Sequence, residues 1–224
     1  MAVFLLVFAA VLGAYGAVFF PWGLLLWYPA LSGLILSAAY ACNRPGWIGK
    51  RADGRLAEWA WCVHGSYFAF RHAVWHAQLA ISSEPAVQEV VPGLWLARRL
   101  KNGELPPGVA WGALVDLTAE FQEPNGMTVQ AGWRCIPVLD AGVPTPAALA
   151  RWEPLVAQAG PILIHCAQGH GRTGMLAAWL LLRRGQAKTV AEALAQIQSV
   201  RPGARLKKCQ IKWLERRFAT FNVR

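Results

Sequence analysis

The chain has 224 residues, and 22 lysines and arginines against 12 aspartates and glutamates give it a net charge of +10. Hydrophobic residues make up 55% of it and charged residues only 15%, which excludes a disordered chain and an ordinary soluble surface. The excess of hydrophobic over charged residues is concentrated at one end of the chain, because residues 2–43 contain no charged side chain. The length fits one globular domain with a membrane segment, and it is too short for two globular domains.

Two apolar runs, at residues 2–20 and 22–42, are each about as long as a helix that crosses a bilayer. Only Pro21 separates them, so we predict a transmembrane helical hairpin over residues 1–43. A cleaved signal peptide is the alternative, but it would have a positive N-terminal region and a shorter apolar core. Basic residues follow at once and indicate a cytoplasmic flank: Arg44, Lys50, Arg51 and Arg55. We therefore expect a multi-pass membrane protein with two spans and a cytoplasmic C-terminal domain.

Residues 44–84 form a basic and aromatic juxtamembrane segment. Its aromatic part, residues 56–81, is interpreted either as a helix on the membrane surface or as a helix packed on the hairpin or the domain core. Its histidines have no carboxylate or cysteine at ligand spacing, so we expect structural roles for them. The five cysteines have neither paired nor zinc-binding spacing, which indicates free thiols and no metal site.

From residue 85 onward, short apolar strands alternate with helical stretches. Helix starts are indicated by Thr145 before Pro146, and by Thr189 with Glu192 three residues later, which is a capping box. Residues 175–182 are apolar on all sides and predict a buried helix. The strands are predicted at residues 93–97, 113–118, 135–139 and 161–165. This alternation predicts an α/β domain over residues 85–224, with a central, mainly parallel sheet and helices on both faces.

The most informative stretch is IHCAQGHGRTG at residues 164–174, where a predicted strand ends and the buried helix begins. Such a connection points successive backbone N–H groups inward, and the helix adds its positive end, which suits a tetrahedral dianion. Amide dipoles and Arg172 favour the thiolate form of Cys166 at its base. The planar fork of Arg172 matches two phosphate oxygens. The connecting loop consists of Ala167, Gln168, Gly169, His170 and Gly171.

The cysteine, the five-residue loop and the arginine, with the flanking histidine, threonine and glycine, resemble the signature of the protein tyrosine phosphatase superfamily. The resemblance covers residues 89–221 and is closest to small atypical dual-specificity phosphatases. Residues 89–96 look like the opening strand of that family, and residues 136–146 look like its general-acid loop. Residues 201–203, followed by Gln210, resemble its late loop.

The resemblance implies a phosphocysteine intermediate with no metal and no cofactor. It assigns catalytic roles to Cys166, Arg172, Asp140 and Thr173, and phosphate binding to residues 167–172. It also implies that His165 orients the loop through hydrogen bonds, and that Gln168 and His170 point outward and contact the substrate beyond its phosphate.

The position of Asp140 also follows from its spacing in the sequence. Asp140 ends one predicted strand, and Cys166 ends another 26 residues later, with one helix between them. A right-handed crossover makes the two strands parallel, so both ends reach the edge of the sheet where ligands bind. Asp140 is then placed to protonate the leaving oxygen and afterwards to activate water. The alternative is an ordinary turn aspartate before Gly142.

Three further side chains lie near this edge of the predicted sheet or at the start of the buried helix, and two of them have alternative interpretations. Glu120 is either the partner that orients the Arg172 fork or an exposed loop carboxylate. Asp116 is interpreted as structural. The Thr173 hydroxyl assists departure of the thiolate if the resemblance holds, and otherwise it is a hydroxyl at the start of a helix.

Three hypotheses of function follow. The first is a membrane-anchored, cysteine-dependent phosphatase acting on a phosphorylated lipid. The hairpin favours it, as do eight basic residues against one acidic residue over 201–224, although such charges also occur on any solvated helix face. The second is a membrane-tethered dual-specificity protein phosphatase for phosphotyrosine or phosphoserine/threonine. The third, a phosphate-binding pseudoenzyme adaptor, is disfavoured by the intact Cys166, Arg172 and Asp140.

The expected partners are therefore a membrane and a phosphorylated lipid or protein. Nucleic acid is not expected, because the membrane flank accounts for much of the positive charge.

Overall fold

The computed structural model describes residues 1–130 and 132–221. These residues divide into two compact units. The first consists of Met1–Ser82 together with Ala119–Gln122, and the second consists of Ser83–Thr118 and the described residues from Glu123 onward. The domain boundaries after residues 43 and 84 stay predictions, and the last three residues of the proposed 85–224 domain lie outside the described residues.

The first unit begins with two apolar helices, α1 (Ala2–Val18) and α2 (Leu24–Ala41). Near the end of α2, the Ser37 hydroxyl donates to the carbonyl of Ala2 at 2.8 Å, so the two helices run antiparallel as a hairpin. Among the described residues, α2 is long and apolar enough to cross a membrane, with a mean hydropathy of 1.5 over 18 residues, whereas α1 has 17 residues. The second span stays a prediction.

Helix α3 (Glu58–Ile81) contacts α2 through polar groups. The Tyr28 hydroxyl donates to the Trp61 carbonyl at 3.2 Å, and Ser32 Oγ lies 2.9 Å from His64 Nδ1. His64 is fully buried, and this burial lowers its pKa, which favours a neutral ring. These contacts support the interpretation of α3 as a helix packed on the hairpin, with His64 in a structural role.

The short segment Ala119–Gln122 also belongs to the first unit. Glu120 accepts a hydrogen bond from Arg71 at 3.2 Å, and the Lys50 ammonium donates to the Phe121 carbonyl. The Phe121 ring packs edge-on against His72, with 5.0 Å between ring centroids. Glu120 is 1% exposed, so its interpretation as an exposed loop carboxylate is wrong: the pairing with Arg71 accompanies burial. Its pairing with Arg172 stays a prediction.

The second unit is built on a five-stranded sheet of order β1-β2-β5-β3-β4. Strands β1 and β2 are antiparallel and the other neighbours are parallel, which confirms the mainly parallel α/β sheet. Strand β5 lies at the centre, between β2 and β3. The strands are β1 (Val87–Val91), β2 (Leu94–Arg98), β3 (Ala113–Asp116), β4 (Trp133–Cys135) and β5 (Ile162–Cys166).

Two strand predictions differ from the structure. The strand predicted at residues 135–139 is wrong beyond Cys135, where β4 ends. The chain beyond it still donates from the Ile136 N–H to the Asp116 carbonyl at 2.8 Å and from the Val138 N–H to the Leu117 carbonyl at 3.1 Å. The single opening strand at residues 89–96 is instead the antiparallel pair β1 and β2. The chain turns between them at Gly93, whose positive φ of 82° suits glycine.

Two helices of the second unit begin where the capping signals predict. Thr145 accepts a hydrogen bond from the Ala148 N–H at 3.1 Å, and Thr189 accepts one from the Glu192 N–H at the same distance. These side chains cap α5 and α7. The helices are α4 (Asn125–Thr128), α5 (Pro146–Trp152), α6 (Gly171–Arg183), α7 (Val190–Val200) and α8 (Lys208–Phe221).

The four longer helices lie on one face of the sheet. Side chains such as Leu96, Val115 and Ile164 form one buried cluster with residues of α5, α6, α7 and α8. The opposite face, which carries Leu114 and Leu163, packs within this unit against connecting segments and the short α4. The prediction of helices on both faces is therefore wrong for the long helices. Prolines and glycines in the segment after β2 prevent a helix there: Gly103, Pro106, Pro107 and Gly108.

Candidate active site

The predicted strand–loop–helix connection is present at the centre of the sheet. Cys166 is the last residue of β5, and α6 begins at Gly171. Between them the chain turns through Gly169, which has a φ of 74°. A Cβ atom on Gly169 would lie 2.5 Å from the carbonyl oxygen of Ala97, so the neighbouring strand approaches too closely for any side chain. Cys166 itself is 3% exposed.

Arg172 lies in the first turn of α6 and is buried. Its Nη1 donates to the carbonyls of Val138, at 3.2 Å, and Leu117, at 3.4 Å. Its Nη2 lies 3.5 Å from Oδ1 of Asp140. The guanidinium is therefore held by the segments that follow β3 and β4, and the structure brings together Arg172 and Asp140, which the sequence placed at the same edge.

Asp140 lies in a loop that α8 holds in place. Gln210 of α8 donates from its amide to the Gly142 carbonyl at 3.0 Å, and Cys209 Sγ lies 3.3 Å from the Ala141 carbonyl oxygen. The Asp140 side chain is 36% exposed, so it is accessible to a substrate as well as to Arg172. Strands β4 and β5 are both parallel to β3, as the crossover rule predicts, but β4 ends at Cys135 and Asp140 lies in the loop beyond it.

Thr173 is fully buried in the first turn of α6. Within the part of the chain that the structure describes, its hydroxyl has no hydrogen-bond partner. Thr173 thus lies at the start of a helix, as one of its two interpretations predicts, although the α6 N-terminus has no side-chain cap.

A buried ionic cluster lies directly behind the cysteine. His165 Nε2 is 3.6 Å from a Glu123 carboxylate oxygen and 4.0 Å from one of Asp116. Thr118 donates two hydrogen bonds to Asp116, and Arg99 Nε lies 3.7 Å from Glu123. Neither ring nitrogen of His165 has a hydrogen-bond partner among the described residues, so the structure does not show the hydrogen bonds through which this ring was expected to orient the loop.

The three groups of this cluster also have the ligand types of a divalent cation, and their ligand atoms lie within 4.8 Å of one another. The sequence offered no signal for the cluster, because Asp116, Glu123 and His165 have no recognisable spacing. The guanidinium of Arg99 and the donors of Thr118 face the same carboxylates and provide compensation without a metal.

The outer side of the phosphate loop carries contacts that the sequence did not predict. The His170 ring, which was expected to contact substrate, lies with Nε2 2.6 Å from Oε2 of Glu84. The Gln168 carbonyl accepts a hydrogen bond from Nη2 of Arg201 at 3.0 Å. Arg201 and Gln210 fell within the stretch that resembles a late loop of the family, whereas nothing in the sequence pointed to Glu84.

Comparisons with known proteins bear on the fold that carries this site. Residues 109–186 match the family described as "Polymorphic toxin system, DSP-PTPase phosphatase". Among solved structures, Tk-PTP in a mutant form has 24% identity and a TM-score of 0.52, covering 62% of this chain and 99% of that one. The second unit has the dual-specificity phosphatase fold.

Two further structures share this fold at lower identity. PTPMT1 in complex with PI(5)P has 16% identity and a TM-score of 0.51, covering 62% of this chain and 97% of that one. Human DUSP28 has 19% identity and a TM-score of 0.51, covering 60% and 97%. A search of curated proteins found no match. The stretch that matches the phosphatase family model, residues 109–186, contains Asp140, Cys166, Arg172 and Thr173.

Proposed function

We propose that the protein is a membrane-anchored, cysteine-dependent phosphatase that hydrolyses a phosphomonoester of a membrane lipid through a phosphocysteine intermediate. One observation carries the chemistry. Cys166 ends the central strand, and the buried Arg172 after its loop is held between the Val138 carbonyl and Asp140. A nucleophile, a cation for the phosphoryl oxygens and a carboxyl group thus share one edge of the sheet.

In the first step, the phosphate binds to backbone N–H groups of residues 167–172 and to the Arg172 fork. The Cys166 thiolate attacks phosphorus, the bond from phosphorus to the ester oxygen breaks, and Asp140 donates a proton to that oxygen. Arg172 stabilises the charge that develops on the phosphoryl oxygens. The alcohol leaves, and the phosphoryl group stays on sulfur.

In the second step, water attacks the phosphocysteine. Asp140, now a carboxylate, takes a proton from the water, and inorganic phosphate leaves as the P–S bond breaks. The buried Thr173 hydroxyl donates to the departing sulfur and stabilises the regenerated thiolate. Glu120 is proposed to help orient the Arg172 fork.

Four observations support a membrane lipid as substrate. α2 has the length and hydropathy of a membrane span, and PTPMT1, which shares the fold, has been crystallised with PI(5)P. Side chains of α8 and the preceding loop expose basic groups that suit anionic headgroups. Both α1 and α2 also expose apolar side chains that favour hydrocarbon over water: Val3, Phe4, Val7, Val11, Leu25, Leu31 and Leu34. A two-span hairpin with a cytoplasmic catalytic domain is the proposed topology.

The test of the chemistry is Cys166→Ser in the full chain. The variant should lose turnover of a small aryl phosphate, because the hydroxyl is a far weaker nucleophile, and it should still bind inorganic phosphate. Cys62→Ser, at an exposed free cysteine of α3, is the matched control and should keep full activity. Retained turnover in Cys166→Ser, or loss of wild-type activity with a chelator, would contradict the proposed mechanism.

A further inference from the structure

The Glu84 carboxylate joins three parts of the second unit. Oε2 lies 2.6 Å from Nε2 of His170 in the phosphate loop and 3.6 Å from Nη2 of Arg201. Oε1 accepts a hydrogen bond from the Gly203 N–H at 2.8 Å. One side chain that precedes β1 therefore contacts both the phosphate loop and the turn after α7.

Arg201 completes this connection from the other side. It is 1% exposed, and its Nη2 donates to the Gln168 carbonyl at 3.0 Å. Its Nη1 donates to the Pro85 carbonyl at 3.1 Å and to Oε1 of Gln88 at 2.8 Å. The guanidinium thus bridges the phosphate loop and the segment that leads into β1. We call Glu84, His170, Arg201 and Gly203 the loop brace.

Electrostatics favours the ionised form of Glu84. Partial burial raises its pKa, but hydrogen bonds from His170 and the Gly203 N–H, with the nearby charges of His170 and Arg201, hold the pKa below its ordinary value. For Arg201, burial lowers the pKa, while attraction to Glu84 and to Cys166 opposes that effect. A carboxylate and a buried guanidinium accordingly support the loop from outside.

The absence of a side chain at Gly203 leaves room for these contacts. A Cβ atom on Gly203 would lie 2.5 Å from Oε1 of Glu84 and 2.5 Å from Nε2 of His170. Any side chain at this position would push the carboxylate and the imidazole away from each other or away from the turn.

We infer that Glu84 and Arg201 are positioning residues of the active site, which hold the phosphate loop in its anion-binding shape through the His170 ring and the Gln168 carbonyl. The inference rests on the proposed function, because the loop is taken to bind the substrate phosphate. The two held residues, Gln168 and His170, flank Gly169, so the brace fixes the outer half of the loop. A loop held in this shape has its N–H groups aligned before the phosphate arrives, which lowers the ordering cost of binding.

The test is Glu84→Gln in the full chain. The amide keeps the size of the side chain but loses the negative charge between His170 and Arg201. We expect the KM for a small aryl phosphate and the inhibition constant of inorganic phosphate to rise about tenfold or more, because small displacements of positioned groups are costly. Gly203→Ala should raise both constants in the same way, since it displaces the same two side chains without removing either.

Glu153→Gln is the matched control. It breaks another carboxylate–arginine pair of the same unit, between Glu153 and Arg183 at 3.0 Å, on the C-terminal side of α6 away from the loop. This variant should lower Tm slightly and leave both constants unchanged. Neither constant depends on the fraction of folded enzyme, so partial unfolding does not imitate the expected result.

Unchanged constants in Glu84→Gln and Gly203→Ala, with a fall in Tm alone, would overturn the inference and leave the brace as a structural feature. Calorimetric binding of inorganic phosphate to the same variants gives the answer even if the wild type shows no turnover. Failure of the proposed phosphatase activity is thereby distinguishable from failure of the brace.

Discussion

Arg172 and Asp140 have coupled positions, because the guanidinium that is proposed to bind the phosphate also lies 3.5 Å from the proposed acid. A bound phosphate would draw the Arg172 fork toward its own oxygens, and the partly exposed carboxyl group would then face the ester oxygen. In the proposed mechanism, this carboxyl group acts as an acid in one step and as a base in the next, and Gln210 holds its loop at Gly142.

Replacement of Asp140 by asparagine tests this role. We expect Asp140→Asn to lower kcat by ~10²–10⁴-fold for alkyl phosphates, which is the usual contribution of general acid–base catalysis. Aryl phosphates should lose less, because their leaving oxygens need little protonation. Steady-state kinetics on both substrates give the comparison, with Asp53→Asn, at an exposed aspartate paired with Arg51, as the control. Equal losses on both substrates would indicate a structural role for Asp140.

The connection from β5 to α6 shows why local signals were sufficient for part of the site. An apolar strand, a glycine-containing loop and a helix that is buried from Arg172 to Leu182 follow one another without interruption. Capping at Thr145 and Thr189 likewise depends on residues three positions apart. The strand prediction failed beyond Cys135, and the layer prediction failed after β2, because both depend on which segments lie next to the sheet.

The phosphate loop should not tolerate a side chain at Gly169. Gly169→Ala places a Cβ atom 2.5 Å from the Ala97 carbonyl oxygen, in addition to the strain of a positive φ. We expect loss of phosphate binding and of turnover, because the loop must move away from β2. Phosphate binding by calorimetry and turnover of an aryl phosphate provide the measurements.

Gly185→Ala is the control for this effect. Gly185 has a φ of 67°, but nothing lies within 4 Å of the added Cβ atom. We expect this variant to keep its activity. Its free energy of unfolding in urea should fall by only roughly 1 kcal/mol, which is the cost of backbone strain for alanine at a positive φ. Normal phosphate binding by Gly169→Ala would contradict this prediction, because it would show that the loop accepts a Cβ atom beside the Ala97 carbonyl.

The two units are joined by the chain near Ser82 and again on either side of Ala119–Gln122, a segment that packs in the first unit. Lys50 and Arg71 contact this segment, and it continues directly into Glu123 of the buried ionic cluster. Any shortened enzyme must also keep Glu84, which lies just before the predicted domain start at residue 85.

Removal of residues 1–81 separates the two proposed substrate classes. A chain beginning at Ser82 keeps the loop brace but loses Lys50 and Arg71, so its absolute rates should fall on every substrate. The informative quantity is the ratio of activity on vesicle-embedded phosphoinositide to activity on a soluble aryl phosphate. We expect this ratio to fall at least about tenfold, because membrane tethering supplies a high effective concentration.

A soluble phosphopeptide assayed in parallel completes this test. Its activity relative to the aryl phosphate should not change on truncation, because neither substrate is confined to a surface. A lipid ratio that stays constant would contradict the lipid proposal and would favour the membrane-tethered protein phosphatase.

The residues with proposed chemical roles could be found in the sequence alone, because the cysteine, the loop and Arg172 are contiguous and because a crossover rule relates Asp140 to Cys166. The supporting groups could not. Glu84 and His170 are 86 positions apart, and the cluster of Asp116, Glu123 and His165 forms only when β5 lies beside β3. Local sequence specifies the loop that is proposed to bind an anion. The order of strands decides which distant charges surround that loop, because charged pairs act through space and not along the chain.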